Sequence, residues 1–346
     1  MNKIKAYQEE ASQYESLYLA RVSFQSKGIY RVLIQDTELL AEISGKLHYE
    51  SIYPTVGDYV MIDRMEDESG HARIHHLLTR YSLLERRMSG AEQGSQLIAA
   101  NIDQLFICMA MNQDFNLRRL ERYLAIGWLS GAIPVIVLTK ADLCDDLQGC
   151  LEEVSSIAMG VTIIMTSTVY GMGLEAISDA IKEHQTVAFV GSSGVGKSTL
   201  INYLTNGHQM LTQETRSDDK GRHTTTARQM IKLENSGYVI DTPGMRELGV
   251  ESGDLTQTFS DIEHLASLCK FKDCQHHQEP GCAVRKAIES GSLSKERLKN
   301  FQKLQKEIKY QDLTPKQRET EKLNTMFAEV GGMKKARQFR QHKKRQ

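Results

Sequence analysis

The chain has 346 residues, of which 40% are hydrophobic and 25% charged, and its formal net charge is −1. This composition is typical of a soluble folded protein and excludes wholesale disorder, while the length predicts two or three domains. No apolar run approaches the ~20 residues that cross a bilayer, and the N-terminus lacks the apolar segment of a signal peptide. We therefore expect a cytoplasmic protein that does not enter a membrane.

The net charge is close to zero, but the charged residues are unevenly distributed along the chain. Residues 334–346 contain seven Lys or Arg and no acidic residue, so the rest of the chain is acidic. A basic tail on an acidic body predicts contact with an anionic partner, although a solvated terminus has the same composition.

The first eighty or so residues predict short strands, because β-rich runs alternate there with Gly, Asp, Ser and Pro. The runs cover residues 17–24, 29–35, 39–43, 57–63 and 73–78. Five strands without a long helix between them predict a small β-barrel over residues 1–84. An OB-fold has this strand count, and periodicity alone does not separate it from an SH3-like barrel.

From about residue 101 predicted strands alternate with predicted helices, which favours a parallel α/β sheet covered on both faces. The strands cover residues 102–111, 133–139, 161–165 and 186–190, and the helices cover residues 120–128, 147–158 and 173–183. We expect this domain to occupy residues 95–251. A mostly helical module with the basic tail is expected over residues 252–346.

The strongest motif is GSSGVGKS, which follows a predicted strand and leads into a predicted helix. It matches the phosphate loop G-x-x-x-x-G-K-[ST], whose backbone N–H groups hold nucleotide phosphates. Lys197 is placed to bridge the β- and γ-phosphates, and Ser198 to bind Mg²⁺. The predicted contacts along this segment are Val190, Gly191, Ser192, Ser193, Gly194, Val195, Gly196, Lys197, Ser198 and Thr199.

Two further segments predict contacts with the metal and the γ-phosphate. In DTPG, at the end of a predicted strand, Asp241 can hold Mg²⁺ and the amide of Gly244 can sense the γ-phosphate. In GRHTTT, residues 221–226, one of Thr224 or Thr225 can coordinate Mg²⁺ when a triphosphate is bound. The predicted magnesium ligands are Ser198, Thr225 and Asp241.

A third motif predicts recognition of guanine. TKAD, from Thr139 through Lys140 and Ala141 to Asp142, resembles N-K-x-D with Thr in the Asn position. The Asp142 carboxylate can accept hydrogen bonds from guanine N1 and N2, which adenine cannot donate, and the Lys140 stem can cover the base. Ser167, after the next predicted strand, is the expected companion contact.

Hydrolysis requires a positioned water, and the sequence offers little for that role. The residue after DTPG is Met245, where Ras-like enzymes carry a Gln that orients the water. We therefore expect the isolated protein to hydrolyse nucleotide slowly and to depend on a partner that completes the site. His223 is the candidate general base, although it can equally be a polar loop residue. Lys197, Thr224 and Thr225 complete the predicted catalytic set.

A cysteine cluster predicts a metal site. Cys269, Cys274, His276 and Cys282 lie within fourteen residues and form a Cys₃His set suited to tetrahedral, structural Zn²⁺. His277 is an alternative ligand beside His276, and a group of buried free cysteines is the alternative interpretation.

The order of guanine motif, phosphate loop, switch segment and DTPG resembles that of the circularly permuted ribosome-assembly GTPases of the RsgA (YjeQ) family. VGD at residues 56–58, NIDQ at residues 101–104 and EPG within the C-x4-C-x-H-x5-C cluster extend the resemblance over essentially the whole chain. It implies an OB-fold barrel, a circularly permuted α/β P-loop GTPase domain and a zinc module with one structural Zn²⁺. It also implies Mg²⁺ bound with GTP, and it favours His276 over His277.

The resemblance further implies action on the small (30S) ribosomal subunit in late maturation, with GTP hydrolysed to GDP and phosphate on docking and the protein then released. We expect a monomeric GTP hydrolase, slow alone and stimulated by the subunit, that contacts rRNA through the barrel, the zinc module and residues 334–346. The alternatives are an ATP-dependent RNA remodeller and a non-catalytic RNA-binding protein stabilised by nucleotide.

Overall fold

A computed structural model of the chain describes residues 3–26, 28–66, 70–87, 95–207, 228–241, 255–311 and 317. The chain divides into two compact units. One comprises residues 1–249 with 256–260, and the other residues 250–255 with 261–346. Within the described ranges, the helices are too short or too polar to cross a membrane.

The first unit begins with a short helix and a closed barrel. Its elements are α1 (Lys3–Ala11), β1 (Tyr18–Ser26), β2 (Ile29–Ile34), β3 (Thr37–Ile43), α2 (Gly45–Tyr49), β4 (Tyr59–Ile62) and β5 (Ala72–Leu77). The strand order is β1-β2-β3-β5-β4, and the barrel closes because β4 also pairs with β1. The predicted five-stranded barrel is confirmed, and it is OB-like.

The barrel core follows from alternation along the strands. Val22, Val32, Ala41, Val60 and Ile74 point inward and are fully buried. Each Val or Ile side chain contributes roughly 1.5–3 kcal/mol when removed from water, so the inward rows stabilise the closed sheet.

Helix α1 carries no apolar stripe and was not predicted. Its buried Tyr7 stacks on Tyr59 with ring centroids 3.9 Å apart. The Tyr7 hydroxyl lies 2.9 Å from the carbonyl oxygen of Thr79 and 3.0 Å from Oδ1 of Asn101. Tyr7 therefore helps to fix the helix to the barrel, together with Glu10, whose carboxylate accepts hydrogen bonds from the amide and hydroxyl of Thr79. Burial raises the pKa of Tyr7.

The second part of this unit is an α/β sheet. A hairpin of β6 (Leu83–Arg87) and β7 (Ser95–Ala100) precedes it and spans the predicted boundary at residue 84. The sheet consists of β8 (Gln104–Ala110), β9 (Ile133–Thr139), β10 (Thr162–Met165), β11 (Thr186–Val190), β12 (Arg228–Lys232) and β13 (Tyr238–Asp241). Its helices are α3 (Leu117–Leu129), α4 (Leu147–Ile157), α5 (Leu174–Ala180) and α6 (Lys197–Leu204).

The strand order reveals a permutation. The sheet runs β10-β9-β8-β11-β13-β12, with β12 antiparallel and the other neighbours parallel. If the strands are counted from β11, which leads into the phosphate loop, β8 to β10 become the fourth to sixth strands. The segments that follow the parallel strands meet at one edge, where open α/β sheets bind ligands.

Backbone pairing joins the sheet to the barrel. Strand β12 pairs antiparallel with β1, with Phe24 opposite Gln229, so the two parts form one eleven-stranded sheet. Arg21 of β1 is buried beside this junction and donates hydrogen bonds to Thr186 Oγ1 at 2.7 Å and to the carbonyl oxygen of Gly57 at 3.2 Å.

The VGD segment has a structural role at the same junction. Asp58 is fully buried and accepts hydrogen bonds from Arg80 at 2.6 and 2.7 Å and from the Thr55 amide at 2.7 Å. Gly57 has a φ of +94°, and a Cβ there would collide with the carbonyl oxygen of Ala100. The segment thus requires both a buried acid and a residue without a side chain.

The described part of the second unit is mostly helical, as predicted. It contains most of α7 (Ser260–Ser267), together with α8 (Ala283–Glu289) and α9 (Lys295–Gln311). Buried Arg297 of α9 holds Asp261 of α7 in a bidentate ion pair, with both bonds 2.8 Å long.

Candidate functional site

The phosphate-loop sequence forms the turn between β11 and α6. Gly191 has a φ of +144°, and a Cβ there would collide with the carbonyl oxygen of Cys108 in β8. Gly196, with a φ of +99°, is the N-cap of α6. These conformations favour glycine, and they place the positive end of α6 at the carboxyl edge of the sheet.

Lys197 folds back over this loop. Its Nζ donates to the carbonyl oxygens of Gly191 at 2.8 Å and Ser192 at 2.7 Å. Ser198 and Thr199 are exposed in the first turn of α6, while Val195 is buried. The ammonium and the helix end therefore face the side on which a phosphate group is expected.

The guanine motif lies beside the loop, at the end of β9. Lys140 adopts a left-handed conformation with a φ of +56°, and Ala141 is buried. The Ser167 hydroxyl donates to Asp142 Oδ1 at 2.5 Å, so the two predicted base contacts are brought together. Ser167 is itself only 1% exposed, which fixes the orientation of the carboxylate.

Thr139 links the two loops. Its hydroxyl donates to the carbonyl oxygen of Val195 at 2.6 Å, and the side chain is 3% exposed. The hydroxyl in the Asn position of the motif thus holds the end of β9 against the phosphate loop. A direct contact of Thr139 with the base stays a prediction.

The predicted magnesium ligands divide between described and undescribed residues. Asp241 is the last residue of β13, which lies parallel to β11, so its backbone reaches the edge that carries Ser198. A carboxylate and a hydroxyl are the oxygen ligands that Mg²⁺ prefers. His223, Thr224, Thr225 and Gly244 lie outside the described residues.

One residue at this edge carries no motif signal in the sequence. Arg119, in the first turn of α3, donates from Nη1 to Ser192 Oγ at 2.8 Å. Only the spatial order of the strands reveals this contact, because 73 residues separate the two positions.

The cysteine cluster forms a compact ligand set within the second unit. The ligand atoms of Cys269, Cys274, His276 and Cys282 all lie within 4.8 Å of one another, so this group could hold a metal ion. Cys269 Sγ lies 3.9 Å from Cys282 Sγ and 3.8 Å from His276 Nδ1, and Cys282 Sγ lies 3.5 Å from that nitrogen.

Local backbone structure orients these ligands. Cys282 is the N-cap of α8. The loop before it is held by Glu279, whose carboxylate accepts hydrogen bonds from the backbone amides of Gln275 and His277 at 3.0 and 2.8 Å. Burial lowers the pKa of His276, which favours the neutral imidazole that binds metals.

The charge state of Cys269 also suits a metal ligand. Although burial raises the pKa of the Cys269 thiol, hydrogen bonds from the amides of Val284 and Ala283 outweigh that effect. The net result is a pKa below the usual value. The start of α8 therefore favours a thiolate, the form in which cysteine binds metal.

A permuted parallel sheet that brings a phosphate loop beside a guanine motif defines a circularly permuted P-loop GTPase. The sequence model described as RsgA GTPase matches residues 77–251. A second model, described as ABC transporter, matches residues 174–336, a range that includes the phosphate loop but not TKAD. The RsgA 2 protein of Lactiplantibacillus plantarum, named a small ribosomal subunit biogenesis GTPase, is 48% identical over 96% of this chain and 95% of its own.

An RsgA protein of Methanosarcina acetivorans with the same functional name is 43% identical over 95% of this chain and 90% of its own. The chain belongs to the RsgA GTPase family and is a GTP hydrolase.

Two crystal structures of similar proteins have the same fold. YjeQ from Thermotoga maritima has a TM-score of 0.65 and 27% identity, covering 83% of this chain and 97% of its own. YloQ, whose structure is titled a circularly permuted GTPase, has a TM-score of 0.62 and 25% identity. The match covers 87% of this chain and 98% of the YloQ chain.

Proposed function

We propose that this GTPase acts in late maturation of the small ribosomal subunit. It docks with GTP bound, hydrolyses it to GDP and phosphate on the subunit, and is then released. The observation that carries the proposal is the pairing of Ser167 with Asp142 beside the phosphate loop, in a chain similar over nearly its whole length to small ribosomal subunit biogenesis GTPases.

The proposed nucleotide site uses the edge where the motifs converge. Residues 190–199 surround the phosphates, residues 139–142 with Ser167 bind guanine, and Ser198, Thr225 and Asp241 hold Mg²⁺ with the triphosphate. Gly244 senses the γ-phosphate, and Thr224 and Thr225 belong to the loop that closes over it. Met245 leaves the attacking water without a side-chain partner, so His223 is the proposed group that orients or deprotonates it.

The metal proposed for the Cys₃His group is one structural Zn²⁺. A tetrahedral Zn²⁺ with ordinary bond lengths separates two sulfurs by about 3.8 Å and a sulfur from a nitrogen by about 3.6 Å. The separations of 3.9, 3.8 and 3.5 Å among Cys269, Cys282 and His276 fit this geometry. Four protein ligands fill the coordination sphere, which supports a structural rather than a catalytic ion.

The proposed domain organisation has three parts. They are a barrel over residues 1–84, the GTPase domain over residues 95–251 and the zinc module with its tail over residues 252–346. The barrel, the module and the basic residues 334–346 contact rRNA by neutralising its phosphates. The protein works in the cytoplasm as a monomer.

The base site is tested by replacing Asp142 with Asn. Because guanine loses its paired acceptors, we expect GTP affinity to fall about 10- to 100-fold, as for lost hydrogen bonds to a charged group. Xanthine carries a carbonyl oxygen where guanine has its amino group, so the Asn amide can donate to it and the variant should prefer xanthosine triphosphate. Competition binding with GTP, xanthosine triphosphate and ATP measures both effects.

The nearby exposed acid Asp145 offers a matched control, since Asp145→Asn should leave nucleotide selectivity unaltered. Unaltered GTP selectivity in Asp142→Asn would contradict the base-site proposal. Equal affinity of the wild type for ATP and GTP would instead favour the ATP-dependent alternative.

A further inference from the structure

Two cationic side chains converge on one residue of the phosphate loop. Lys197 Nζ donates to the backbone oxygen of Ser192 at 2.7 Å, and Arg119 Nη1 donates to its side-chain oxygen at 2.8 Å. The P-loop lysine is the group that contacts the β- and γ-phosphates in this class of site. The Arg119 guanidinium therefore lies beside the loop residue that the P-loop lysine also contacts.

Arg119 differs from its neighbour Arg118 in how its charge is paired. The adjacent Arg118 forms an ion pair with buried Glu121, donating to both carboxylate oxygens at 2.8 Å. Arg119 makes no ion pair within the described ranges, and its bond to Ser192 uses one of five N–H donors. Of two neighbouring arginines, one has a buried acid partner and the other faces the nucleotide loop.

The position of Arg119 in its helix is also unfavourable for a positive charge. Arg119 lies in the first turn of α3, which contains no acidic residue, and its amide donates to the N-cap Asn116 at 3.1 Å. The helix dipole makes the first turn positive and disfavours a cation there. Lys197 adds a second positive charge at the same loop. A bound polyanion relieves this repulsion.

We propose that Arg119 is a catalytic arginine supplied in cis. When GTP is bound, its guanidinium donates hydrogen bonds to oxygens of the γ-phosphate and stabilises the charge that develops as water attacks. The new bond joins the water oxygen to the γ-phosphorus, the bond to the β–γ bridging oxygen breaks, and the two water protons leave with the phosphate, so that the products are GDP and phosphate. Arg119 stays protonated throughout and transfers no proton. The proposal rests on the nucleotide site described above.

The test compares the wild type with Arg119→Gln, Arg119→Lys and the matched control Arg118→Lys. Affinities for GDP and for a non-hydrolysable GTP analogue are measured by titration. Single-turnover hydrolysis is measured with and without small ribosomal subunits. In Arg119→Gln we expect GDP affinity within about twofold of the wild type, several-fold weaker analogue binding and turnover reduced about 10²-fold or more, as for a lost arginine finger.

Arg119→Lys should lie between these values, because the ammonium keeps the charge but not the planar fork. Arg118→Lys keeps a cation beside Glu121 and should hydrolyse GTP at the wild-type rate, because Arg118 does not contact the phosphate loop within the described residues. Retained GDP affinity shows that the variants are folded. Equal losses of GDP and analogue affinity would overturn the proposal and make Arg119 a loop-positioning residue, and unchanged turnover would also overturn it. A wild type that neither binds nor hydrolyses GTP would contradict the GTPase site itself, which separates the two failures.

Discussion

Replacing Cys274 with Ser is expected to abolish the proposed binding of zinc by the Cys₃His group and to unfold the loop that carries these residues. A structural zinc site contributes apparent binding free energies of about 10–16 kcal/mol, and that energy is also folding energy. The thiolate is lost while the side-chain size is nearly kept, so packing changes contribute little. Elemental analysis of the purified protein and limited proteolysis of the module measure the two effects.

A second variant separates metal loss from local helix effects. Cys282 is the N-cap of α8, and Ser is a favoured N-cap residue, so Cys282→Ser should lose the metal with the cap intact. Cys150 lies in α4, outside the ligand set, and Cys150→Ser should retain full metal content. Full zinc stoichiometry in Cys274→Ser would remove Cys274 from the ligand set.

The largest catalytic effect is expected from His223→Ala. If the imidazole orients or deprotonates water on the docked protein, subunit-stimulated turnover should fall about 10²- to 10⁴-fold, the range for lost acid–base catalysis. GTP affinity and subunit binding should change little, and the slow basal turnover should change much less. Stimulated hydrolysis, nucleotide titration and cosedimentation with small subunits provide the three readouts.

His184 offers a matched control, because its exposed ring lies in the loop before β11 and belongs to neither proposed site. His184→Ala should hydrolyse GTP at the wild-type rate. Retained stimulated turnover in His223→Ala would make that histidine a bystander. Lost subunit binding with a proportional fall in turnover would make it a docking residue.

Local patterns in the sequence predicted the elements that carry the site. The bounds predicted for β9 and β11, residues 133–139 and 186–190, are those observed, because both strands are continuous runs buried inside a parallel sheet. The phosphate loop and the cysteine cluster follow from fixed spacings of residues with defined chemistry. Such local patterns can be recognised without knowing how the rest of the chain folds.

Long-range contacts could not be predicted in the same way. The pairing of Phe24 with Gln229 joins barrel and sheet across more than 200 residues, and neither strand carries a local signal for its partner. Helix α1 was missed because Tyr7 is its one buried residue, which leaves no periodicity to detect. The contact of Arg119 with Ser192 depends on β8 and β11 being neighbours in the sheet.

The role of Thr139 shows a second limit of motif comparison. Its position in TKAD predicts a contact with the base, which stays a prediction, and no local pattern indicates that its hydroxyl donates to the backbone of Val195 in the phosphate loop. A motif identifies which residue occupies a position, but the hydrogen-bond partner depends on the packing of two segments 56 residues apart. In the structure, Thr139 therefore ties the TKAD segment to the phosphate loop.

In the proposed mechanism, the hydrolytic site of this GTPase is incomplete in the isolated protein, and the small ribosomal subunit completes it. The most direct measurement is the rate of phosphate release from GTP by the purified full-length protein, alone and with small subunits, with large subunits and ATP as controls. We expect slow release alone and a rise of about 10²-fold or more with small subunits only, the size of an added acid–base group. A rate that small subunits leave unchanged, or that large subunits raise equally, would contradict the claim.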